Sequence, residues 1–228
     1  MSQTGVAISF PAGSGSALRE GYLVRPQGDG PFPGVVIIHE IYGLNENIKD
    51  IAHRFASEGY VALAVDLFAG RNRTVCMFRF IGQMMFSSLN NGSLDDLKSC
   101  LTYLTQQPGV DAIRMGAIGF CMGGGFAIAW ATSDNRLKAI APYYGSNPRP
   151  LEAVERLCPV VGSYPGKDFT ASHGQKLDIE LERYNIPHDI KNYPGAKHSF
   201  FNDTGKSYDE QVAKDSWQRV MSFFREHV

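Results

Sequence analysis

Cys121 stands in Gly119-Phe120-Cys121-Met122-Gly123, with a glycine two residues away on either side. The run before it (residues 115–120) is short, apolar and β-like, and the run after it (124–132) is small and compatible with a helix. Strand, sharp turn and helix are the context in which a nucleophile stands exposed at a sheet edge, here with sulfur in place of oxygen. A side chain on such a turn has a strained backbone, so its neighbours must lack bulk. The helix that follows aims its first amides at the sulfur. They are expected to lower the thiol pKa and to bind an oxyanion forming on an acyl carbon. The chemistry implied is acyl transfer through a thiolate.

A thiolate needs a base, and the base needs a group to orient it. Asp168, in Pro165-Gly166-Lys167-Asp168, follows an apolar β-like run, and His198, in Gly195-Ala196-Lys197-His198, follows another. Nucleophile, acid and histidine thus come from three separate strand ends, in a chain order known for such triads. His53, His173, His188 and His227 are expected to be structural or solvated, as are Asp178 and Asp189; Asp203 is a minor rival to Asp168.

His39-Glu40-Ile41-Tyr42-Gly43 directly follows the apolar run 35–39. The backbone amides of Ile41 and Met122 are assigned to an oxyanion hole, a role that any residue but proline can fill. A carboxylate at an active rim is costly unless paired or used. Glu40 could take the thiol proton, or hold the thiol neutral until substrate arrives; the alternative is that it only bonds the loop backbone. His39 reads as a packed strand-end residue.

The elements that must position these groups alternate. Two edge strands are expected at 6–10 and 18–25, then strands at 35–39, 60–67, 115–120, 137–144, 158–164 and 188–193. Helices are expected at 45–57, from Ser93, at 124–132, at 175–184 and at 207–226. This alternation argues for a mainly parallel sheet with helices on both faces, where ligands bind at the carboxyl ends of the strands.

Composition narrows the classes. A chain of 228 residues, 43% hydrophobic and 20% charged, suits one globular α/β domain over 1–228. A net charge of -1 offers nothing for nucleic acid or an anionic membrane. No apolar run approaches the roughly 18 residues of a membrane span. Residues 1–10 lack the basic start and apolar stretch of a secretory signal. Cys76, Cys100, Cys121 and Cys158 match no zinc or paired-cysteine spacing. A cytoplasmic protein without a bound metal is expected, a monomer or small homo-oligomer.

The nucleophile loop with Gly124, the acid loop Gly166-Lys167-Asp168, the base loop His198-Ser199-Phe200 and the Glu40 loop together resemble the dienelactone hydrolase family of carboxymethylenebutenolidase-like proteins, over nearly the whole chain. The resemblance implies an α/β-hydrolase fold and a cofactor-free hydrolase of a lactone or small activated ester. It implies that Cys121 attacks, His198 relays the proton, Asp168 orients His198, and Glu40 deprotonates the thiol once substrate shifts the resting hydrogen bonds. Members acting on dienelactone resemble one another in an arginine four residues after the histidine, which holds the substrate carboxylate. Here that position is Asn202, which cannot form the bidentate charged pair. The segment at about 68–92, rich in Met and Phe, is expected to form a flap. In it Arg71 and Arg79 are either substrate contacts or solvated; Tyr42, Phe200 and Asn202 complete the expected substrate set. A general carboxylesterase or thioesterase, and a ligand binder or redox sensor on the same scaffold, stay open as alternatives.

Overall fold

The computed structural model describes residues 4–13, 17–68, 89 and 92–228. The expected flap, with Arg71 and Arg79, lies almost entirely outside the described residues.

Eight strands form one sheet: β1 (Gly5–Pro11), β2 (Leu18–Val24), β3 (Phe32–Ile38), β4 (Val61–Asp66), β5 (Val110–Phe120), β6 (Leu137–Tyr143), β7 (Val160–Pro165) and β8 (His188–Tyr193). Their order is β1-β2-β4-β3-β5-β6-β7-β8. β3 to β8 run parallel, and β2 is antiparallel to both β1 and β4. The helices are α1 (Glu46–Ser57), α2 (Gly92–Thr105), α3 (Met122–Ala131), α4 (Ala171–Arg183) and α5 (Glu210–His227), with a short 3-10 turn at Leu151–Arg156.

Side chains alternate across a strand, so β3 feeds two cores. Val36 and Ile38 join a cluster with α2, α3 and α4; Val35 and Ile37 join another with α1 and α5. All four are fully buried, which is why 35–39 reads as an unbroken apolar run. Helices therefore cover both faces, as an α/β-hydrolase fold requires. The caps are local: the side chain of Asn45 accepts from the Ile48 amide at 3.1 Å, and Asp209 accepts from Val212 at 3.1 Å.

Three expectations shift. β2 is not an edge strand, because β4 pairs with its other side. β5 begins at Val110, earlier than its apolar run, because residues 110–114 are only partly covered and carry Asp111 and Arg114. α4 starts at Ala171 rather than Gln175. Gly174 lies inside this helix; a Cβ there would lie 2.6 Å from the Tyr164 ring, so close packing selects the glycine. The turn at Leu151–Arg156 is too short to show a period.

The strands end nearly level at one rim. Ile38 pairs with Gly119, Phe120 with Tyr143, Tyr143 with Ser163, and Pro165 with Tyr193. Glu40, Cys121, Asp168 and His198 all follow these ends.

Candidate active site

Cys121 sits between β5 and α3 with φ 55° and ψ -114°. A non-glycine residue held there costs about 1–3 kcal/mol, which the surrounding contacts must offset. Its amide donates to the Tyr143 carbonyl at 3.0 Å, and its own carbonyl accepts from Gly125 at 3.2 Å. The flanking glycines are sterically required. A Cβ on Gly119 would lie 2.1 Å from the Gly123 carbonyl oxygen, and one on Gly123 would lie 2.4 Å from that of Ile38.

The thiol is not pulled down, contrary to the sequence expectation. Burial pushes it up to about 12, the charge of Glu40 adds to this, and the Met122 amide opposes both without prevailing. Desolvation and a buried carboxylate outweigh one helix terminus. Labelling by iodoacetamide should therefore be slow at neutral pH and should climb without a plateau past about pH 10, since only the thiolate reacts. Peptide mapping at Cys121 checks this, and a plateau near neutrality would contradict it. Cys100 and Cys158 are also pushed up by burial and should label slowly.

His198 Nδ1 donates to Asp168 Oδ2 at 2.5 Å. An ionised carboxylate only accepts, so the proton sits on Nδ1 and a neutral ring presents Nε2 as a base. The other oxygen of Asp168 accepts from the Thr170 amide at 2.7 Å and its hydroxyl at 2.5 Å. The imidazole packs against Tyr144, 4.8 Å between centroids, and stacks on Phe169 at 5.9 Å. Among the described residues no hydrogen bond joins His198 to the Cys121 thiol.

Glu40 is 4% exposed. It accepts from the Ser199 hydroxyl at 2.8 Å and from Asn202 Nδ2 at 3.3 Å. The Asn202 oxygen accepts in turn from the Thr204 amide (3.1 Å) and hydroxyl (2.7 Å). The polar atoms of Asn202 thus bond within the protein, and its first visible task is to hold Glu40. His39 is fully buried, as expected; its Nδ1 bonds the Glu40 carbonyl at 2.5 Å and its Nε2 accepts from the Leu67 amide at 3.0 Å. This ties the Glu40 loop to the end of β4.

A cavity of about 770 Å³ adjoins His198, lined by Tyr42, Asn45, Ser199, Asn202, Thr204 and Lys206, among others. Tyr42 and Ile41 are exposed at the rim. Phe200, expected at the substrate, is instead fully buried among Tyr143, Tyr144 and Tyr193; as the residue after two polar loop positions it turns back into the core. Asp203 accepts from Asn47 at 2.8 Å, while Asp168 holds His198. His53 bonds Tyr22, His173 bonds the Asn147 amide, and His188 bonds the Ile186 carbonyl. Asp178 and Asp189 pair with His188 and Arg219.

Three residues escaped the sequence reading. Tyr144 is visible only as the last residue of an expected strand, Ser199 only as the neighbour of His198, and Phe169 only as the neighbour of Asp168. Phe169 is 69% exposed while stacked on the imidazole, a placement no local pattern encodes. Among the described residues, no three His, Cys, Asp or Glu side chains form a metal-binding group, and no helix is long and apolar enough to cross a membrane.

The sequence profile of the dienelactone hydrolase family matches residues 19–228. A protein of Saccharolobus solfataricus, provisionally named carboxymethylenebutenolidase, is 35% identical over 90% of this chain and 92% of its own. A protein of Escherichia coli K12 with the same provisional name is 30% identical, over 90% of this chain and 82% of its own. Among solved structures, a provisionally named dienelactone hydrolase from Klebsiella pneumoniae superposes with a TM-score of 0.84 at 30% identity, covering 98% of this chain and 100% of that one.

Proposed function

Since the chain belongs to the dienelactone hydrolase family and is a hydrolase of that kind, we propose that it cleaves lactones or small activated esters through a thioester on Cys121. The observation that carries this reading is the His198–Asp168 pair at the rim where the strained Cys121 turn also ends.

Glu40 takes the proton from the Cys121 sulfur, and the thiolate attacks the substrate carbonyl carbon. The amides of Met122 and Ile41 receive the oxyanion. The tetrahedral adduct collapses to a thioester and expels an alkoxide, which takes the proton from Glu40; in a lactone the alkoxide stays tethered. His198, oriented by Asp168, then removes a proton from water. The hydroxide attacks the thioester and the acid leaves. The imidazolium returns its proton to sulfur, and the charges balance over the cycle.

Sulfur restricts the substrate. A thiolate leaves more readily than an amide nitrogen, so attack on an unactivated peptide bond reverts. The cavity beside His198, whose lining includes the polar side chains of Asn45, Ser199, Asn202, Thr204 and Lys206, favours a compact polar ester or lactone over a long acyl chain. The test is acid quenching during turnover of an activated aryl ester, followed by peptide mapping. An acyl group on the Cys121 peptide, rapid lactone and ester turnover and negligible amide cleavage are the expected results. Turnover that persists after full alkylation of Cys121 would overturn the reading.

A further inference from the structure

Tyr144 follows β6 in a left-handed conformation, φ 40°, its amide donating to the Ser163 carbonyl at 2.8 Å. Its ring is 1% exposed and is pinned on several sides: His198 at 4.8 Å, Phe200 at 5.3 Å, and Tyr143 at 6.0 Å between centroids. Strain of this kind in a bulky residue persists only where the surroundings over-determine it. Its hydroxyl is fully buried and has no hydrogen-bond partner among the described residues. A buried unpaired hydroxyl is costly, and a phenylalanine would fill the same space without that cost. After burial itself, the charge that bears most on this phenol is the Glu40 carboxylate, and the Cys121 sulfur bears on it too. The hydroxyl therefore lies in the field of both groups.

Glu40 is held by Ser199 and Asn202, while the phenol stands beside the carboxylate without meeting hydrogen-bond geometry. To take the thiol proton it must give up some of that hold and turn toward sulfur. We propose that Tyr144 is a positioning residue whose hydroxyl becomes the donor to Glu40 in the conformation that faces Cys121. The orphaned hydroxyl is then satisfied in the second state and unsatisfied in the first, so the carboxylate has two defined seats. The proton that moves is the thiol's; the phenol keeps its own. This rests on the reading of Cys121 as nucleophile and Glu40 as its base.

Tyr144→Phe removes only the hydroxyl and keeps the ring against His198. The expected result is a loss in kcat of about ten- to a hundredfold, the range for a hydrogen bond to a charged group, with KM little changed. The melting temperature should stay level or rise, since no resting bond is lost. Unchanged kcat would overturn the proposal. So would a fall in kcat that tracks a fall in melting temperature and comes with a raised KM, since that is what a packing role predicts. The same assay with wild-type protein alkylated at Cys121 separates the two failures: persistent turnover there sinks the nucleophile, not Tyr144.

Discussion

Cys121→Ala is expected to lower kcat/KM toward an activated aryl ester by up to about a million-fold, the scale on which nucleophile losses fall. The size follows from the task assigned to sulfur: without it no thioester forms, and the remaining amides and imidazole can only assist direct attack by water. Residual rate above the uncatalysed reaction is expected from the oxyanion donors alone. Folding should survive, because the substitution removes one half-buried atom and leaves both flanking glycines in place. Alanine still has to adopt the φ of 55°, a strain the cysteine already bears. Circular dichroism and the melting curve establish that the variant is folded; steady-state rates with both proteins then decide. Comparable rates would remove Cys121 from the mechanism, whatever the geometry around it.

That cysteine was legible in the sequence because its constraints are local. Two glycines at fixed offsets, an apolar strand before and a small-residue helix after are all consequences of one tight turn, and each is a matter of residue type. Asp168 and His198 were legible for a related reason. The strands are buried on both faces and read as apolar runs, so polar residues just beyond their ends are conspicuous. The strand pairing was less open to inspection. β2 looks like any half-covered strand, and only its partner β4, some forty residues away, makes it internal. A glycine selected by contact with the Tyr164 ring, as Gly174 is, is indistinguishable in sequence from one that ends a helix.

The surroundings of Glu40 show the same limit more sharply. Asn202 is recognisable as a neutral residue where a cation is expected, and that substitution invites a conclusion about substrate charge. Its contacts point first to another consequence: the amide serves the buried carboxylate, through a bond spanning 162 residues of sequence. The thiol pKa was mispredicted in the same way. Helix termini can be read from sequence, but burial and a carboxylate brought in from β3 cannot, and here they dominate.

This gives Glu40→Gln two effects of opposite sign. Turnover should fall by about a hundred- to ten-thousandfold, the usual worth of a positioned general base. Alkylation of Cys121 should become faster at a given pH. The Glu40 charge is the second cause holding the thiol pKa up, so a neutral side chain lets it drop towards its ordinary value, and more thiolate is present. The two readouts separate the possible roles. A carboxylate that merely suppressed the thiolate would, on removal, speed both reactions. One that merely braced its loop would leave alkylation unchanged unless folding suffered, and the melting curve reports that. Only a group that both restrains the resting thiol and later takes its proton slows hydrolysis while exposing the sulfur. Parallel pH series of alkylation and ester turnover on the two proteins make the comparison, and a rise in both rates would assign Glu40 to restraint alone.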